Sequence, residues 1–150
     1  MSKCALDEII TFAIRKEADA ANLYKIYADL AESANVKSMF RQLREEELKH
    51  EELLRNIKTK DISQRQLNDI PDMKISDYSI EEEFHTDMSY VEALMLAIKK
   101  EEKAYRLYHD LASACKEDKL TKALLVLAQE EAKHKLKLED EYDKTVLTEN

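Results

Sequence analysis

Four stretches of the chain carry apolar residues at alternating spacings of three and four, the pattern of a helix with one buried stripe. The first stripe reads Leu6, Ile10, Ala13, Glu17, Ala20, Tyr24, Tyr27, Ala31, and the second Val36, Phe40, Leu43, Glu47, His50, Leu54, Ile57. The third reads Val91, Leu94, Ile98, Glu101, Tyr105, Tyr108, Ala112, Cys115, and the fourth Leu120, Leu124, Leu127, Glu131, His134, Leu138. Residues 33–35 suit a turn between the first two, Ser89 with Glu92 suits a capping box at the start of the third, and Asp118 suits an N-cap for the fourth. From 60 to 88 the pattern fails, around Pro71 and scattered Asp and Ser. Extended at about 3.3 Å per residue, such a segment can run the length of a helix of some 25 residues. The pattern therefore predicts one all-α domain over 1–150: a helical hairpin at 5–59, a crossover at 60–88 and a second hairpin at 89–146, forming a four-helix bundle with one long crossover.

The two predicted hairpins repeat each other without a gap. Ala13-Ile14-Arg15-Lys16-Glu17 with Leu23-Tyr24 returns as Ala97-Ile98-Lys99-Lys100-Glu101 with Leu107-Tyr108, and Glu47-Leu48-Lys49-His50 returns as Glu131-Ala132-Lys133-His134.

Composition agrees with a helical chain: no glycine, one proline and 37% charged residues leave little material for tight turns between strands. A formal charge of −8 argues against nucleic acid or an anionic membrane as partner and makes cations the more natural ligands. Two cysteines, Cys4 and Cys115, cannot build a disulfide framework or a four-thiolate site, so both are expected to be reduced. The first residues lack the apolar core of a secretory signal, and the longest apolar runs are far too short to cross a bilayer, so a soluble cytoplasmic protein is expected.

Against this background the charged stripe positions stand out. Glu17, Glu47, His50, Glu101, Glu131 and His134 lie where their neighbours are Leu, Ile, Ala, Phe or Tyr. Four buried carboxylates repel one another and lose hydration, which calls for protons or cations to neutralise them. Two divalent ions balance four carboxylates when both histidines are neutral. In Glu-x-x-His the two side chains project from one helix face and reach one small volume. A Glu from each of two helices plus Glu-x-x-His from each of the other two is the ligand set of di-iron and di-manganese bundles. The metal-free alternative, a buried hydrogen-bond network of the same six groups, stays open at this level.

Tyr24 and Tyr108 follow Glu17 and Glu101 by two helical turns, where a phenol can hydrogen-bond a ligand and serve catalysis from behind it. Tyr27 and Tyr105 read as packing residues, and His85 and His109, with no partner at ligand spacing, as exposed histidines. A solvated face is the expectation for Glu45, Glu46, Glu51, Glu52, Glu102 and Glu130.

Glu-x6-Tyr followed by Glu-x-x-His, then both again after a long connector, resembles the rubrerythrin branch of the ferritin-like superfamily over roughly residues 5–142. The resemblance implies a non-haem centre of two iron ions, Mn or Zn being alternatives, held by Glu17, Glu47, His50, Glu101, Glu131 and His134. It further implies an oxidoreductase reducing hydrogen peroxide or oxygen, and a homodimer. Full-length rubrerythrins add a rubredoxin-like domain with four cysteines, which this sequence does not supply, so electrons would come from an external protein such as rubredoxin. Rubrerythrins also carry an additional Glu ligand one turn along the third helix, where Ala104 and Tyr105 stand here. The symmetric six-ligand set is similar to that of bacterioferritin, so ferroxidation for iron handling is the alternative activity, and a metal-stabilised structural bundle a third. With only eight residues after Tyr142, a long fifth helix of a ferritin cage is not expected.

Overall fold

The computed structural model describes residues 4–58, 69–70, 74–80, 85, 87–115 and 118–149. Its main elements are four long helices, α1 (Leu6–Leu30), α2 (Ala34–Asn56), α3 (Tyr90–Ala114) and α4 (Asp118–Glu149). They fall in two compact units, Met1–Ile75 and Ser76–Asn150, each holding one hairpin of two helices packed along each other. The internal repeat extends to the helix starts: α1 and α3, each of 25 residues, begin 84 apart, and so do α2 and α4, although α4 is longer, at 32 residues against 23.

In the first unit, α1 breaks at residues 31–33 and Ser33, in extended conformation, caps α2, its hydroxyl accepting from the Val36 amide at 3.5 Å. The buried faces of the hairpin meet through Ile10, Ala13, Tyr24, Phe40, Leu43 and Leu54. The Phe40 ring lies 5.9 Å from that of Tyr24 and 5.5 Å from that of Tyr27. Beyond the end of α2, the Lys58 ammonium donates to Thr11 Oγ1 at 2.8 Å. A two-residue antiparallel ladder pairs β1 (Cys4–Ala5) with β2 (Asp69–Ile70), with Cys4 opposite Ile70. It is the one departure from the all-α expectation among the described residues.

In the second unit, Ser89 caps α3, its hydroxyl accepting from the Glu92 amide at 3.1 Å, which is one half of the anticipated capping box. Helix α4 already includes Asp118 as its first residue, so Asp118 supplies first-turn negative charge rather than the cap, and residues 116–117 lie outside the described residues. Tyr90 Oη donates to Glu141 Oε1 at 3.0 Å and fixes the register of α3 against α4. At about 1.5 Å per residue α4 is about 48 Å long and α3 about 38 Å, so the last turns of α4 run past the start of α3.

Most of the expected 60–88 crossover lies outside the described residues. Within it, a 3-10 turn at Ile75–Asp77 leads into Tyr78, whose hydroxyl donates to Asp110 Oδ2 at 2.7 Å. Lys103 Nζ donates to the Asp77 carbonyl at 3.0 Å, so this piece is strapped along α3. No helix is long and apolar enough to cross a membrane among the described residues.

Candidate metal centre

Each hairpin places three of the candidate ligands side by side in its core. Glu17 comes from α1, and Glu47 and His50 from one face of α2, with exposures of 2%, 1% and 3%. Glu101 from α3 and Glu131 and His134 from α4 repeat the arrangement at 2%, 1% and 2%. Such burial is rare for ionisable side chains without compensating partners. Leu43 and Leu54 on α2, and Leu127 and Leu138 on α4, close the apolar stripe before and after each Glu-x-x-His.

The two triads also agree in geometry. His50 Nδ1 lies 3.6 Å from Glu17 Oε2 and 3.7 Å from Glu47 Oε1. His134 Nδ1 lies 3.6 Å from Glu101 Oε2 and 4.0 Å from Glu131 Oε1. In each triad one donor atom from every residue falls within 4.8 Å of the others. Donors 3.6 Å apart subtend roughly 120° at an ion placed about 2.1 Å from each, an ordinary bond length for nitrogen and oxygen ligands. Carboxylate oxygens with an imidazole nitrogen form a borderline-hard donor set suited to Fe, Mn or Zn. A histidine offering Nδ1 to a cation is neutral and keeps its proton on Nε2. The residues of both triads therefore fit a metal in chemistry and in spacing.

Tyr24 and Tyr108 are both 1% exposed, two turns along from Glu17 and Glu101. Tyr27 is buried as well, whereas its counterpart in the repeat is Leu111, and burial pushes the Tyr27 phenol up to about 12. Tyr105 is half-buried with its ring 5.9 Å from that of His109. His85 and His109 are exposed, as the sequence implied.

Of the flanking glutamates, Glu45 and Glu52 are exposed, whereas Glu46, Glu51, Glu102 and Glu130 are half-buried. Glu102 Oε2 accepts from Lys135 Nζ at 3.1 Å, joining α3 to α4 beside Glu101 and His134. Opposite charges one residue after Glu101 and one after His134 were the available signal for this bond. Helical periodicity ranks such positions only as flanking.

A family model for rubrerythrin matches residues 8–142, and the chain belongs to that family. Among curated proteins none matches. A candidate ferritin-like diiron-carboxylate protein of Thermotoga maritima, solved as a crystal structure, superposes with a TM-score of 0.82 at 19% identity, over 97% of this chain and 99% of its own. A hypothetical protein from Pyrococcus furiosus superposes with a TM-score of 0.74 at 26% identity, over 92% of this chain and 88% of its own. The fold is thus the ferritin-like four-helix bundle expected from the periodicity.

Proposed function

We propose that the two triads act together as one centre for two iron ions. On this reading the protein is a cytoplasmic oxidoreductase that reduces hydrogen peroxide or oxygen with electrons from an external protein such as rubredoxin. The observation that carries this reading is the burial of six ionisable side chains at repeated positions, 84 residues apart, in a chain of the rubrerythrin family. When bound, a reduced pair of irons supplies two electrons, the number needed to cleave the O–O bond of one peroxide to water.

The residues have separable tasks in this scheme. Glu17, Glu47, Glu101 and Glu131 would supply the carboxylates, with Glu47 and Glu131 shared between the ions, and His50 and His134 would give one neutral donor per ion. Four carboxylates cancel the charge of two divalent ions, which removes the cost of holding either set alone in an apolar core. Tyr24 and Tyr108 orient the carboxylates from behind, where their hydroxyls can also hold a proton near the reacting oxygen. Leu43, Leu54, Leu127 and Leu138 exclude bulk water from the ligand layer.

A second reading, ferroxidation in iron handling, is favoured by one observation. Ala104 and Tyr105 occupy the turn where rubrerythrins carry another glutamate, and neither can ligate as a carboxylate. Rapid mixing of the Fe(II)-loaded protein with peroxide or with oxygen separates the readings. Fast oxidation by peroxide with repeated turnover on a reduced donor is the expected result. Accumulation of many irons per chain would favour iron handling, and an inert centre would leave a structural bundle. A single domain and a homodimer complete the proposal, and sedimentation showing only monomer would remove the dimer.

A further inference from the structure

We infer that the Glu102–Lys135 ion pair is a positioning device that makes the Glu101/His134 half of the proposed centre bind its metal ion first and more tightly than the Glu17/His50 half. The inference rests on the metal-binding reading above. Glu102 directly follows the ligand Glu101 on α3, and Lys135 directly follows the ligand His134 on α4. Their 3.1 Å bond therefore fixes the separation of the two helices at the level of the ligands.

The repeat gives this pair no counterpart in the other hairpin. The repeat places Ala18 where Glu102 stands, and an alanine has no charge to offer. It places Glu51 where Lys135 stands, and Glu51 instead accepts from Arg55 Nε at 3.0 Å, one turn along its own helix. The bond between Lys58 and Thr11 joins this hairpin, but six residues away from Glu17 along α1 and eight from His50 along the chain. A ligand pair held at its working separation before the metal arrives loses less freedom on binding, and so binds tighter. The longer contact in the second triad, 4.0 Å against 3.7 Å in the first, does not offset this, because it lies within one helix, between Glu131 and His134.

The test is titration of the metal-free full-length protein with Co(II), followed by visible absorption and calorimetry. Two steps separated by about fivefold in affinity are expected, the upper end of what an ion pair this exposed contributes. Glu102→Gln should weaken only the tight step and bring the two together. The exchanged pair Glu102→Lys with Lys135→Glu should restore the separation. Transplanting the pair, as Ala18→Glu with Glu51→Lys, should tighten only the weak step. A merely structural ion pair would instead move the melting temperature of the metal-free protein, which should stay within about 2 °C for a pair this exposed. Two equal steps, or a Glu102→Gln effect shared equally by both, would overturn the inference while leaving the metal reading intact. Absence of Co(II) binding would instead overturn the metal reading itself, and this inference with it.

Discussion

Leu43 lies one turn before Glu47 and has no exposed surface, so its removal leaves a cavity directly beside the ligand layer. Leu43→Ala should cost about 2–5 kcal/mol, measured by urea unfolding of the metal-free protein. At the ligands, His50→Ala removes one neutral donor and should weaken one metal position, whereas Glu47→Ala should disturb both. Metal-to-protein ratios after gel filtration would show one ion lost in the first case and two in the second. Tyr27 gives a prediction at high pH. Its folded-state value near 12, against an ordinary 10.0, means that the unfolded chain gives up this proton first as pH rises. The unfolded state then binds fewer protons, so stability is intact below about pH 10 and falls toward pH 12. Melting temperatures across that range should fall less steeply in Tyr27→Phe. Tyr78 is likewise raised, by burial and by its bond to Asp110, so Tyr78→Phe should flatten the same fall in melting temperature further. At this scale the burial of the six candidate ligands was legible because a charge on an apolar stripe is conspicuous. Ile9, Phe12, Ile14, Ala21, Leu23 and Ala28 were not, since a single stripe understates how much of α1 is buried, and Ala20 proves half-exposed.

Among the helices, serine caps mark where α2 and α3 start. Ser89→Ala deletes the acceptor for the Glu92 amide and should lower stability by about 1 kcal/mol, visible as a shifted denaturant midpoint with unchanged slope. Helix number, order and approximate ends followed from periodicity, and the repeat locates the second pair of helices once the first pair is placed. What escaped the sequence was short. The two-residue ladder of Cys4–Ala5 with Asp69–Ile70 is too brief to imprint a period of two. The strap at Asp77 and Tyr78 depends on bonds to Lys103 and Asp110, which lie far along the chain. Neither signal is local.

At the scale of the molecule, the proposed centre and the fold should be linked by mass action. Ions that bind only the folded chain stabilise it by about 2.7 kcal/mol when present at a hundred times their dissociation constant. Melting temperatures with Fe(II) or Mn(II) should therefore exceed those of the chelated protein at neutral pH, and equal values would count against the metal site. The overrun of α4 past α3 has a different consequence. Tyr90 grips Glu141, and beyond that point Leu147 is 75% exposed. Backbone amides there are protected by little besides their own helix, so in deuterated water residues 143–149 should exchange their protons well before residues 120–140. One helix would thus show a gradient of labelling, slow beside the ligands and fast along the overhang.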